Sequence, residues 1–248
     1  MLRGLYVSAS GMLADEIRHQ VVSNNLANAN TIGYKKDQVI GQTFPEVLMA
    51  SVYKGKSKII GQTGLGASVV DIPIKMTPGM IETTNSTLDL ALQGDGFFVI
   101  ETPAGIRVTR QGNFQLNGNG QLTNFAGDLL LGEKGPITVN PLGEAIEVKA
   151  DGSVFQGSVL LDKLQLVDYD PSLLSKEGGN RFKVADGAIA REANFEVLQG
   201  TLERSNVNVI EEMVEMINLM RAYESGQRLI QTQNDTLGKL INDMASNI

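Results

Sequence analysis

The 248 residues carry 21 Lys+Arg against 28 Asp+Glu, a net charge of -7, and no cysteine. That length buries a substantial core in one large domain or two modest ones and excludes a staple-dependent mini-fold. The acidic balance argues against wrapping nucleic acid or lying on anionic lipid, and the missing thiols remove disulfides, thiolate metal sites and cysteine nucleophiles.

Met1 to Ala14 has one basic residue and some apolar content, but Ser8, Ser10 and Gly11 dilute the apolar stretch. A helical pattern continues through to Leu26, so no cleaved signal peptide is expected. No run approaches the roughly 18 apolar residues of a membrane span. Leu5, Met12, His19 and Leu26 recur every seventh residue, and Leu13, Ile17 and Val21 form a second stripe beside them. A helix with two apolar stripes needs neighbours on more than one side. Asn24, Asn25, Asn28, Asn30 and Gly33 then mark its end, because such residues compete for backbone hydrogen bonds or accept left-handed conformations.

Residues 31–68 are weakly patterned and contain Gly55, Gly61, Gly64 and Gly66, which reads as an extended connector. From residue 69 the period changes to two. Val70, Ile72, Ile74 and Met76 alternate with other residues, as do Leu88, Leu90 and Leu92, and Phe97 to Ile100 is a short apolar run. Turn residues at Gly94-Asp95-Gly96, Asn117-Gly118-Asn119-Gly120, Asp151-Gly152 and Gly178-Gly179-Asn180 predict hairpins of an antiparallel β domain over 69–185. A second connector is expected over about 186–206.

The end of the chain has the most regular pattern. Positions 209, 213, 216, 220, 223, 227, 230, 234, 237, 241, 244 and 248 alternate steps of four and three, and all but Gln227 and Asn234 carry Val, Met, Tyr, Ile or Leu. This is a coiled-coil-like seam in which polar residues set the register, with Ile210, Val214 and Ile217 widening its apolar surface. The predicted fold is α+β: long terminal helices (1–30 and 207–248) forming a coiled-coil-like layer, and a central, mainly antiparallel β domain.

Chemistry is hard to place on this chain. The only histidine, His19, lies on a helix stripe, and no GxSxG elbow accompanies it. Gly64-Leu65-Gly66 lacks the third glycine and the helix of a dinucleotide loop, and residues 117–120 lack the acidic ligands of a calcium loop. Asp71, Glu82, Asp89, Asp95 and Asp151 could supply a carboxylate pair, but no spacing selects two of them. No enzyme activity, cofactor, metal or small-molecule substrate is expected.

Association is the better reading. The later helix outlasts the first by about a dozen residues at helical rise, so pairing within one molecule leaves seam uncovered. Leu5, Met12, Leu26, Met213, Met216, Met220, Tyr223, Ile230, Leu237, Ile241 and Met244 are the predicted subunit interface. A surface that meets a different surface on the next copy generates rings or helical filaments.

Several motifs are similar to those of a known family. Ser23-Asn24-Asn25-Leu26-Ala27-Asn28-Ala29-Asn30-Thr31-Ile32-Gly33-Tyr34-Lys35 resembles the amino-terminal signature of bacterial flagellar basal-body rod and hook proteins. Leu92-Gln93-Gly94-Asp95-Gly96-Phe97-Phe98 and Thr109-Arg110-Gln111-Gly112-Asn113-Phe114 resemble its central β-domain motifs. Gln199-Gly200-Thr201-Leu202-Glu203-Arg204-Ser205-Asn206-Val207, Glu212-Met213-Val214 and Arg221-Ala222-Tyr223-Glu224 resemble its carboxy-terminal signature. Ser225-Gly226 stands where relatives commonly carry Ala-Asn, and glycine inside a helix costs up to about 1 kcal/mol.

The resemblance implies a torque-transmitting subunit of a helical tube, with inner terminal helices around an export channel and an outer β domain. It further implies partners among copies of itself, other rod and hook proteins and the flagellar type III export apparatus, and a location in the basal body. The opening Met1-Leu2-Arg3-Gly4-Leu5-Tyr6 and Asn28-Ala29-Asn30-Thr31 look like rod proteins of Gram-positive bacteria. A hook subunit is the alternative within the family. A β-domain module that binds cell wall or a partner protein, oligomerised by its helices, is the alternative outside it.

Overall fold

In the computed structural model, which describes residues 2–43, 47–53, 56–63, 66–191 and 194–245, the chain runs in sequence from a long helix through mostly antiparallel β structure to a second long helix. The chain divides into two compact units. A helical unit comprises Met1–Ala27, Asp37–Pro73 and Asn208–Ile248, and a β unit comprises Asn28–Lys36 and Ile74–Val207.

In the helical unit, helix α1 (Leu2–Ala27) and helix α2 (Val209–Ala245) have 26 and 37 residues. These correspond to about 39 Å and about 55 Å of helix. They pack antiparallel: Gly4 lies beside Gln233, Met12 beside Gly226, and Asn25 beside Glu212. The side chain of Asn208 starts α2 by accepting from the Ile210 N–H at 3.1 Å, and Glu211 and Glu212 place negative charge in the first turn. The helix runs unbroken through Ser225-Gly226. A Cβ at Gly226 would stand 2.8 Å from Met12 Cγ, so the glycine admits the methionine against the helix backbone.

The segment read as an extended connector, residues 31–68, contains paired strands, one of them partnered by a strand that runs on into the predicted β domain. Ile40–Thr43 runs antiparallel to Ala67–Asp71, and Val47–Tyr53 to Lys56–Thr63. The single strand expected from Val70 to Met76 is not formed. It stops at Asp71, two residues before Pro73, which has no N–H for a ladder, and Ile74 and Met76 pack against a core of the β unit instead.

The β unit is organised around the strand Phe97–Thr102, which pairs antiparallel with Gly105–Thr109, Leu129–Gly132 and Leu166–Val167 in a nine-stranded sheet. Alternate residues of this strand enter opposite cores. Phe98 and Ile100 join Leu90, Phe114, Leu122 and Leu130, while Phe97 and Val99 join Val108, Leu174 and Phe182. Phe98–Phe114 and Phe97–Phe182 meet edge to face with centroids 5.4 and 5.6 Å apart. The continuous apolar run therefore marks a strand covered on both faces.

Three of the four predicted turns close hairpins: residues 117–120, 151–152 and 178–180 each join strands that pair with one another. Gly94-Asp95-Gly96 does not. The strand before it, Leu90–Gly94, pairs with Phe195–Gln199, so this turn carries the chain from one sheet to another. Thr201–Glu203 likewise pairs with Ile81–Thr83, which places two strands in the segment read as the second connector.

Candidate subunit interface and the buried motif cluster

Lys35, Arg110 and Glu203 come from three separated sequence motifs and meet inside the β unit. Lys35 Nζ donates to Glu203 Oε1 at 2.5 Å and to the Thr77 carbonyl at 3.1 Å. The Gly79 N–H reaches the same carboxylate oxygen at 2.8 Å, and Arg110 reaches Oε2 at 3.4 Å. Arg110 also donates to the carbonyls of Leu92 (3.1 Å) and Gly94 (2.7 Å), and its guanidinium lies 5.4 Å from the Phe97 ring centroid. The Lys35 and Glu203 side chains are both 2% exposed. Desolvation holds the Lys35 ammonium below its ordinary range, with the Glu203 carboxylate opposing that shift. With both oxygens engaged by donors, Glu203 ties the chain together and is poorly placed to act as a base.

The neighbouring motif residues complete this cluster. Gly33 has φ +67° and donates to the Glu203 carbonyl at 2.7 Å, and a Cβ there would stand 2.5 Å from the Arg110 carbonyl. Only glycine meets both demands. Asn206 Oδ1 accepts from the Lys36 N–H at 2.8 Å, and its amide donates to the carbonyls of Lys75 (2.8 Å) and Thr77 (3.0 Å). Thr31 donates to the Asn28 side chain at 3.2 Å, Ser205 accepts from the Val207 N–H, and Lys176 Nζ lies over the Tyr34 ring. Gly94 (φ +103°) and Gly96 (φ +117°) bend the chain ahead of buried Phe97.

In the helical unit, Asn25 is buried and bridges two elements. It exchanges hydrogen bonds with the Asp37 backbone at 2.9 and 3.0 Å and donates to Glu212 Oε2 at 3.2 Å. Asn24 and Ala27, on the same signature, are exposed.

The residues of the predicted interface divide into two groups. Leu5, Met12, Leu26, Met216, Tyr223, Ile230 and Leu237 are half-buried. Met213 (51%), Met220 (53%) and Ile241 (64%) are exposed, and the side chain of Met244 lies outside the described residues. The covered stripe on α2 is Glu212, Met216, Leu219, Tyr223, Gly226, Ile230, Gln233 and Leu237, displaced from the predicted seam but sharing every second position with it. Beside it, Ile210, Met213, Val214, Ile217 and Met220 form an apolar surface open to solvent on α2, as do Tyr6 and Leu13 on α1.

Sequence reasoning missed two things. Lys35 and Arg110 were visible only as members of motifs, since nothing local shows which carboxylate they meet. Tyr6 was passed over, although its seven-residue spacing from Leu13 signals a shared face.

Three family models match the chain: flagella basal body rod protein over residues 5–35, the flagellar hook protein FlgE/F/G D1 domain over 91–156, and the flagellar basal body rod FlgEFG protein C-terminal over 198–244. It is 32% identical to the flagellar basal-body rod protein FlgG of Bacillus subtilis (strain 168), over 98% of this chain and 99% of that protein. The flagellar basal-body rod protein FlgF of Rhizobium meliloti (strain 1021) is also 32% identical, with 97% of each chain covered. The chain belongs to the flagellar basal-body rod protein family. It is also 30% identical to the flagellar hook-basal body complex protein FlhO of Bacillus subtilis, over 98% of this chain. Family membership makes it a structural subunit of the basal body, and the three matched regions coincide with α1 and its turn, the central sheet, and α2 with the strand before it.

Proposed function

We propose that this rod subunit assembles with copies of itself and with other rod and hook proteins into a helical tube that carries torque and encloses the export channel, and that its role is structural and not catalytic. The exposed apolar surface on α2 carries this reading. Ile210, Met213, Val214, Ile217 and Met220 occupy about three turns of one helix, and each side chain removed from water contributes roughly 1.5–3 kcal/mol. A contiguous surface of that kind on an acidic chain marks an association site. Burying it offsets the entropy lost when subunits join. Leu5, Met12, Leu26, Met216, Tyr223, Ile230 and Leu237 support the helix pair from which the surface projects, in a coiled-coil-like layer. The subunit reaches the tube through the flagellar type III export apparatus.

Electron microscopy of the concentrated full-length chain tests the assembly. Tubes or protofilaments are expected from the wild type. The double variant Met213→Glu, Ile217→Glu is expected to stay monomeric with unchanged circular dichroism. A wild type that remains monomeric at millimolar concentration overturns the reading.

A further inference from the structure

The chain has no cysteine, so its 9 methionine thioethers are its only sulfur. Among the described residues they divide by exposure. Met12, Met76 and Met216 are half-buried, whereas Met80, Met213 and Met220 are 78%, 51% and 53% exposed. Met80 belongs to the β unit. Met213 and Met220 stand about two turns apart on α2, on the same surface as Ile210, Val214 and Ile217.

Oxidation turns an adaptable apolar thioether into a polar, chiral sulfoxide. Hydrogen peroxide performs this step on an exposed side chain. A sulfur lone pair attacks one peroxide oxygen, the S–O bond forms as the O–O bond breaks, and the other oxygen leaves as water after taking up the proton. Sulfur gives up two electrons and the peroxide accepts them. Peroxide is uncharged, so the acidic balance of the chain does not repel it. The new oxygen needs a hydrogen-bond donor, and Ile210, Val214 and Ile217 offer none once the surface leaves water.

Resting on the assembly reading above, we infer that Met213 and Met220 are peroxide-modifiable sites whose oxidation blocks subunit association, and that association in turn shields them. The free subunit is the vulnerable form, because both side chains then face solvent. After oxidation, two of the five apolar members of the surface must shed water without a partner when copy meets copy. Met80 is more exposed still, but it belongs to the β unit, so its oxidation leaves the α2 surface unchanged. Sulfoxide is reduced back to thioether by dedicated reductases, which makes the block reversible.

For the test, the full-length chain is treated with hydrogen peroxide as dilute monomer, freed of peroxide and concentrated. Peptide mass spectrometry is expected to find sulfoxide at Met80, Met213 and Met220 ahead of Met12, Met76 and Met216. The concentration needed for polymerisation is expected to rise about tenfold with unchanged circular dichroism. Methionine sulfoxide reductases with a dithiol should restore the untreated value. In polymers treated after assembly, Met213 and Met220 should be protected while Met80 still oxidises. The ratio of treated to untreated threshold within each variant isolates the sites: Met80→Leu should keep it, and the double variant Met213→Leu, Met220→Leu should bring it to one. Equal oxidation of exposed and half-buried methionines, a treated chain that polymerises as before, or a double variant that stays peroxide-sensitive overturns the inference and leaves the assembly reading standing. An untreated wild type that never polymerises removes both.

Discussion

Glu203 shows how much a single residue can connect. It is tied to Lys35, Gly79 and Arg110, and its own carbonyl receives the Gly33 N–H. Removing its charge leaves two buried cations facing one another, whereas removing Lys35 leaves Glu203 with Arg110 and the Gly79 amide. Glu203→Gln should therefore destabilise the β unit by about 3–5 kcal/mol and Lys35→Met by clearly less. Urea melts of the two variants decide the order. A milder effect is expected at Glu177, whose carboxyl the hydrogen bond from Arg107 holds below its ordinary range. A depressed folded pKa means the contribution is complete above the unfolded value and is lost as pH falls through the folded one. Glu177→Gln should lower stability modestly at pH 7, change little well below the folded value, and so flatten the acid limb of the stability profile below about pH 4.5. An unchanged acid limb would remove Glu177 from the account.

For the helices, periodicity located the apolar stripe but could not phase it. A repeat of four and three is satisfied by two adjacent seams on α2, and the structure covers the one that includes Leu219, Gly226 and Gln233. The choice follows from shape. Gly226 gives Met12 a recess, and Glu212 lies where Asn25 can meet it. Gly226→Leu should force α1 from α2, lowering the thermal midpoint of the helical signal by several degrees while near-UV signals from the β-unit aromatics persist. An unchanged helical midpoint would show that the recess is not needed. The strands were legible wherever alternation or an apolar run was strong, as at Phe97–Thr102. Pairing within residues 40–68 was hidden because little in that stretch distinguishes a ladder from an extended link.

Across the whole molecule, two units with different sources of stability should respond differently to dilution. The β unit has its own two cores, whereas the helical unit leaves much of its apolar surface in water. Calorimetry over a hundredfold concentration range should show a helical transition that rises with concentration and a β transition that does not. If both transitions are independent of concentration, assembly contributes nothing to the helices.

The α+β class, both terminal helices, the change to period two in the middle and the signatures of the family can be read from the order of residues alone. These are legible because each depends on residues close together in the chain, through helical spacing, alternation or a turn. Which carboxylate receives Lys35 and Arg110, which of two seams is covered, and which turn joins different sheets were decided only in the tertiary structure. Each depends on groups separated by many residues: 168 positions between Lys35 and Glu203, and 187 between Asn25 and Glu212. Local spacing carries no information about such distances, because burial and excluded volume select the partners only when the chain has closed on itself.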